Sequence, residues 1–332
     1  MKVITKVVVS ILNWNSAHET LNCIKSVLNS YKNNQIDLVI FVLDNGSTVA
    51  DYEILHDGVD KNLVTLIRVE KNLGFAAGHN LIIRRAFDLQ ADFIWLLNSD
   101  ALAAPDAVTK LVDDMLTHAN CGVNSPVIVR MGNREIVDAC GAMHHWQSFS
   151  SVTPQLEEAK HMQTTMPEKI WLVGTAVMFR VTALKDIGLL DERFFAYYED
   201  DDIGVRLAKG NWRSSVVFDC FVEHACFDGV ITDRKPYYFY LMARNSFIFF
   251  IDHTPAPYRK GILIRLINRS MFVAESLYDK GLSDKANACM LGISDGINHR
   301  YGAPDLNRSV PWWLKVLRPF AKFWNSRQIT KV

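Results

Sequence analysis

Two groups of acids stand where the chain could do chemistry. Asp100 closes the run Phe93-Ile94-Trp95-Leu96-Leu97-Asn98-Ser99-Asp100, and Glu199-Asp200-Asp201-Asp202 follow the aromatic stretch Phe194-Phe195-Ala196-Tyr197-Tyr198. One carboxylate at a strand end can anchor a hard divalent cation such as Mg2+ or Mn2+ while a substrate diphosphate supplies further oxygens. The structural alternative is an Asx turn closing the strand. Crowded carboxylates in an enclosed site shift one another's proton affinity, which suits a general base. The alternative for that cluster is a helix N-terminus before Ile203, where the dipole favours negative charge.

The elements that position these acids are readable from periodicity. Largely apolar runs over 6–12, 38–43 and 93–97 read as buried parallel strands, and each ends in polar residues: Asn13-Trp14-Asn15, Asp44-Asn45-Gly46-Ser47 and Asn98-Ser99-Asp100. Helix-like segments over 18–30 and 76–89 alternate with them, and a fourth strand is expected over 64–69. After it comes Asn72-Leu73-Gly74-Phe75-Ala76-Ala77-Gly78-His79-Asn80, in which Gly74 and Gly78 allow close backbone approach and the following helix offers N–H groups to an anion. Open α/β sheets bind ligands at the carboxyl ends of their strands, so the outline is that of a nucleotide-diphosphate site.

In this order, the blocks 9–15, 43–48, 72–80 and 96–100, then 171–178, 190–203, His224 and Arg244-Asn245, resemble the family 2 glycosyltransferases of the GT-A type, particularly bacterial rhamnosyltransferases. The resemblance spans residues 7–250 and implies an α/β fold, a Rossmann-like mixed sheet flanked by helices. It also implies a donor site built from Asn13, Asn15, Asp44, Asn45, Ser47, Asn72, Gly74, Phe75, Gly78, Asn80, Asn98, Gly174, Thr175 and Arg244. Asp100 is the implied metal ligand, with His224 as a second, for Mg2+ or Mn2+. Asp200 is the implied base, with Glu199 and Asp202 as the other catalytic candidates. The implied reaction is inverting transfer of L-rhamnose from dTDP-L-rhamnose to a hydroxyl of a cell-surface glycan or a lipid-linked acceptor. The alternative is a UDP-hexose (galactosyl or glucosyl) transferase. A sugar-nucleotide nucleotidyltransferase is disfavoured because no early G-x-G-x-R-like turn is present, and a non-catalytic glycan-binding subunit because Asp100, Asp200 and His224 are retained.

The chain departs from the family pattern at Val49, where Asp is usual, at His79, where Asn is usual, and at Ser99, where Pro is usual. Asn98 replaces the first acid of the D-x-D form, leaving Asp100 as the principal carboxylate. Arg244 sits among Tyr237, Tyr238, Phe239, Tyr240, Phe247 and Phe249, and a lone cation there needs a partner, either a diphosphate oxygen or a structural carboxylate.

With 332 residues, 49% of them hydrophobic, and 36 basic against 36 acidic side chains, the chain reads as a foldable globular protein with no charge excess to recommend a nucleic-acid partner. The expected division is a catalytic domain over 1–253, with a nucleotide-binding half at 1–100 and an acceptor half at 101–253, and a helical extension over 254–332. The stretch 143–169 lacks periodicity and is expected to be an acceptor-side loop. Gly174-Thr175 interrupt an expected strand over 171–178, and helices are expected over 258–280 and 284–298. Six cysteines without C-x-x-C spacing suit buried, reduced thiols in the cytoplasm, and no secretory signal is apparent. Residues 310–324 interleave aromatics with cations, so this segment is expected either to lie peripherally on the inner face of the cell membrane or to pack on its own domain or in a homodimer.

Overall fold

In the computed structural model, which describes residues 4–30, 35–225 and 229–321, the backbone contacts divide the chain into two units. The first comprises residues 1–144, 151–191 and 199–226; the second comprises 145–150, 192–198 and 227–332.

Val7, Val8, Val9 and Ile11 are fully buried, as expected of a strand with neighbours on both sides and layers on both faces. This strand, β1 (Thr5–Asn13), is followed by α1 (Ala17–Ser30), β2 (Ile36–Asn45), α2 (Val49–Gly58), β3 (Val64–Val69), α3 (Phe75–Asp88), β4 (Phe93–Asn98) and β5 (Ala101–Ala103). Then come α4 (Ala107–Thr117), β6 (Cys121–Arg130), β7 (Asn133–Ala139), β8 (Met143–His145), β9 (Ser150–Val152), α5 (Leu156–Thr165), β10 (Ala176–Arg180), α6 (Val181–Ile187), α7 (Glu199–Lys209) and β11 (Arg213–His224). The main sheet has the order β3-β2-β1-β4-β10-β6-β11-β5, with β7 beside β6. β1, β2, β3 and β4 run parallel, whereas β10 is antiparallel to β4 and β6, so the sheet is mixed. Register carries the polar tips to one edge: Asn13 pairs with Asp44, Asp44 with Arg68, and Leu12 with Asn98.

The second unit is helical: α8 (Pro236–His253), α9 (Ile262–Asp279), α10 (Ser283–Ile297) and α11 (Trp312–Leu317). A β-carbon at Gly292 would collide with the carbonyl oxygen of Tyr240, and one at Gly296 would meet the Phe247 ring at 2.9 Å. Two glycines on α10 thus permit its close packing on α8. By backbone contacts α8 groups with the C-terminal helices. Two expectations are corrected. Residues 143–169 are not a structureless loop but hold the β8–β9 hairpin and α5. Residues 171–175 lie outside the strand, which begins only at Ala176, with Trp171 bridging to Ala142. Among the described residues no helix is long and apolar enough to cross a membrane. The five described cysteines are buried, free thiols, while Cys226 lies outside the described residues.

Candidate active site

Asn13 is fully buried at the tip of β1, where its Nδ2 donates to Asp44 Oδ1 (3.0 Å), Ser47 Oγ (3.1 Å) and Asp51 Oδ2 (2.8 Å) and its Oδ1 accepts from Thr20 Oγ1 (2.7 Å). Asn45 is likewise taken up: its amide donates to Asn72 Oδ1 and the Gly74 carbonyl and accepts from Leu73 N–H. Asn80 closes a two-bond ring with the backbone of Leu190 at 2.8 and 3.1 Å. These three asparagines, expected as donor contacts, tie together the loops that frame the cleft, because buried amides must pair and their partners here are protein groups. Ser47 accepts from Asn15 N–H, Asn15 Oδ1 from Thr48 N–H, and Asn72 Oδ1 from Gly74 N–H. Asp51, two residues beyond Val49, accepts from Asn13 Nδ2 and also from Ala17 N–H at the start of α1. Asp44 keeps one buried oxygen, Oδ2, without a hydrogen bond, facing Arg68 Nε at 3.5 Å.

A cleft of about 450 Å3 opens at this edge, lined among others by Ser16, Phe75, His79, Asn98 and Asp100. Ser10 Oγ lies 2.7 Å from His79 Nδ1, and burial pushes this imidazole down to about 3, so the ring is neutral and fixed edge-on to Phe75. Gly78 brings α3 close to β1, since a β-carbon there would meet Leu12 at 3.0 Å.

Asp100 Oδ1 lies 3.3 Å from His224 Nε2, a pair created by sheet register, because antiparallel β5 and β11 set His224 opposite Ala101. Asn98 Nδ2 approaches the same nitrogen at 3.5 Å, and Asp138 Oδ2 lies 3.9 Å from His224 Nδ1. Burial pushes the His224 imidazole down, but its bonds to Asp100 and Asp138 outweigh that and hold it at about 9. One carboxylate and one imidazole facing an open cleft fit a hard divalent ion that takes most of its oxygens from a diphosphate, with His224 giving up its proton to bind. Among the described residues no group of three or more His, Cys, Asp or Glu forms a closed metal site.

The four adjacent acids of α7 separate by helical geometry. Asp202 is buried and paired with Arg206 four residues on, at 2.8 Å to Nε and 2.7 Å to Nη2, and Arg206 also binds the carbonyls of Ile187, Gly188 and Leu189. Asp202 is thereby anchored to its own helix. Asp201 is held by Ser151 Oγ (3.2 Å) and by His144 Nδ1 (3.4 Å), a ring stacked on Trp171; the sequence did not single out this partner set. Asp200 Oδ2 accepts from Gly174 N–H (3.0 Å) and its Oδ1 from Asp201 N–H (2.9 Å). A β-carbon at 174 would lie 3.4–3.5 Å from Asp200, so the glycine keeps this face open. Burial raises the Asp200 carboxyl above its ordinary range even against those two N–H groups. Glu199, whose Oε2 has no hydrogen bond, shares with Asp200 an apolar pocket lined by Phe75, Leu172 and Ile203; burial and then the Asp200 charge push it well up. Phe75 lines both this pocket and the Asp100 cleft. Thr175 is buried and its carbonyl accepts from Asn98 N–H at 2.9 Å.

In the helical unit, Arg244 is fully buried. Its guanidinium donates to the carbonyls of Gly302 (2.5 Å), Phe194 (2.8 Å) and Arg193 (3.3 Å), and to Asn245 Oδ1 (3.0 Å). Five planar donors suit such a cluster of carbonyls as well as they suit a phosphate. Asn245 Nδ2 reaches the carbonyls of Phe194 (2.9 Å), Ala196 (2.8 Å) and Tyr197 (2.8 Å). Together they clamp a loop in which Phe195 (φ 65°), Tyr197 (67°) and Tyr198 (75°) all adopt left-handed backbone, an unfavourable state for aromatic residues. The next residue in the chain, Glu199, opens α7.

The model of "Glycosyl transferase family 2" matches residues 7–188, more than half of this chain, and stops short of the α7 acids. Two relatives from Mycobacterium tuberculosis, of strains CDC 1551 / Oshkosh and ATCC 25618 / H37Rv, are each an N-acetylglucosaminyl-diphospho-decaprenol L-rhamnosyltransferase. Both are 26% identical over 211 residues, covering 56% of this chain. The match spans 66% of those curated relatives, just under two thirds of their length. Among solved structures, mannosyltransferase PcManGT from Pyrobaculum calidifontis, in complex with GDP-Man and Mn2+, superposes with a TM-score of 0.56 at 14% identity, covering 89% of this chain and 87% of that one. TarS from S. aureus gives 0.55 at 16%, covering 98% and 54%. At these identities the likeness speaks for the fold, which is that of the GT-A glycosyltransferases.

Proposed function

The chain belongs to glycosyl transferase family 2, and from that membership we propose that it transfers L-rhamnose from dTDP-L-rhamnose, with inversion, to a hydroxyl of a cell-surface or lipid-linked glycan. The observation that carries this reading is the pairing of a carboxylate of raised proton affinity, Asp200, with an open polar cleft headed by Asp100, the two sharing the wall residue Phe75. Rhamnose as the sugar is supported by the two mycobacterial relatives.

Asp200 accepts the proton of the acceptor hydroxyl as its oxygen bonds to the anomeric carbon and the bond from that carbon to the diphosphate oxygen breaks. The electron pair departs on the diphosphate. Asp100 and His224 would hold Mg2+ or Mn2+, which when bound offsets the charge of the departing diphosphate. Asn13, Asn45 and Asn80 keep the cleft loops in place. Gly174 N–H and Asp201 N–H hold the Asp200 carboxylate in one orientation. The C-terminal segment supports work at an anionic lipid surface: Trp312, Val316 and Phe320, spaced four apart, are 75%, 56% and 54% exposed, and residues 306–332 contain no acid. Lys322, Phe323, Trp324 and Arg327, part of the same expectation, lie outside the described residues.

The test is a panel of nucleotide sugars, dTDP-L-rhamnose, UDP-glucose, UDP-galactose and GDP-mannose, assayed for donor hydrolysis with and without Mn2+. Preferred turnover of dTDP-L-rhamnose is expected, and preference for a UDP-hexose would overturn the donor assignment.

A further inference from the structure

The helical unit contains a cavity of about 160 Å3 to which the transfer chemistry assigns no role. Tyr198, Ala243 and Cys289 are among its buried lining, while Ile231, Val273 and Arg269 stand exposed in its wall. Its inner polar groups are already satisfied by the protein: Ser246 Oγ donates to the Ala243 carbonyl at 2.7 Å, and the Cys289 thiol to the Ser270 carbonyl at 3.3 Å. Burial pushes that thiol up to about 12, so no negative charge resides there. A guest therefore finds apolar walls inside and a cation outside. Arg269 forms no hydrogen bond or ion pair among the described residues, unlike Arg308 and Arg318, which are paired with Asp295 and Glu275. An apolar cavity of roughly 150 Å3 accommodates a benzene-sized body, about six non-hydrogen atoms.

Tyr198, locked at φ 75° at the end of the clamped loop, gives the cavity one fixed wall. We propose that this cavity binds an amphiphile, a group of about six carbon atoms joined to an anionic group that meets Arg269.

The probe is n-hexyl phosphate, titrated calorimetrically into the full chain, with hexanol and inorganic phosphate as separate arms. Val273→Trp, a substitution at the exposed mouth, should weaken hexyl phosphate binding at least about tenfold by filling the space. Arg269→Ala should weaken it about fivefold and leave hexanol unchanged, as loss of one exposed charge contact predicts. Absence of hexyl phosphate binding at millimolar concentration, binding indifferent to Val273→Trp, or equal binding of inorganic phosphate would each overturn the site.

Discussion

Asn245→Ala removes the amide that holds the loop feeding α7. Its Nδ2 reaches the carbonyls of Phe194, Ala196 and Tyr197 at 2.8–2.9 Å, in a fully buried setting where water cannot replace it. At roughly 0.5–1.5 kcal/mol net per hydrogen bond, its two N–H groups, shared among three carbonyls, and its Oδ1, which accepts from Arg244 Nε, are together worth about 3 kcal/mol. Part of this is returned, because three aromatic residues held at φ 65–75° each store on the order of 1 kcal/mol and relax once the clamp is gone. Arg244 still grips Phe194 and Arg193, so relaxation is incomplete and the expected net loss is about 2 kcal/mol. Because the loop runs directly into Glu199 and Asp200, transfer should slow at least about tenfold while donor affinity stays near the wild-type value, the pattern of a misplaced catalytic group. Denaturant titration followed by Trp and Tyr fluorescence, calorimetric donor binding and a transfer assay give the three numbers. A stability change below about 0.5 kcal/mol together with full transfer activity would refute the clamp.

Asp100→Ala should lower metal-dependent turnover by at least roughly a hundredfold, and undiminished metal-dependent turnover in the folded variant would remove Asp100 from the diphosphate site. Asp200→Asn should bind the nucleotide sugar nearly normally yet transfer about 10² to 10⁴ times more slowly; near-normal transfer would sink its role as base. Glu199 is raised by burial and by the Asp200 charge, so its contribution to stability is present below its unfolded value and is lost as pH rises through the folded one. Glu199→Gln should accordingly raise the melting temperature more at pH 8 than at pH 4.5, and equal shifts at both would contradict a buried, protonated carboxyl. Replacing Trp312, Val316 and Phe320 together by Ser should reduce co-sedimentation with anionic vesicles, a binding that also weakens with salt; unchanged sedimentation would speak against lipid contact.

Much of the sheet was legible because buried parallel strands are unbroken apolar runs. Residues 64–69 form β3 with the expected bounds, and the strands ending at Asn13, Asn45 and Asn98 carry their polar tips to one edge. The helix α5 was not legible because it buries only Ala159 and Met162, too little for an apolar stripe to declare itself. Pairings across long sequence separations were equally hidden. Asp51 accepts from Asn13 across 38 residues, and Asp138 reaches His224 through the arrangement of strands around β6. Residue type announced that buried Arg244 needed partners, but it could not announce carbonyls, since these face Arg244 only when Phe195, Tyr197 and Tyr198 adopt a backbone that their side chains disfavour.

The α7 acids show how one local pattern yields four environments. Successive helical residues point about 100° apart, so four adjacent carboxylates cannot share a single face. Asp202 turns to Arg206, Asp201 to His144 and Ser151, and Glu199 into an apolar pocket with one oxygen unbonded. Asp200 alone is held by two backbone N–H groups beside a residue with no side chain. N–H donors favour the charged form and burial the neutral one, and burial prevails, leaving a carboxylate that is oriented, ready to take a proton, and open on the Gly174 side. Restoring bulk at that position tests the point directly. Gly174→Val should leave the N–H to Asp200 in place, yet crowd the carboxylate and depress transfer far more than donor binding.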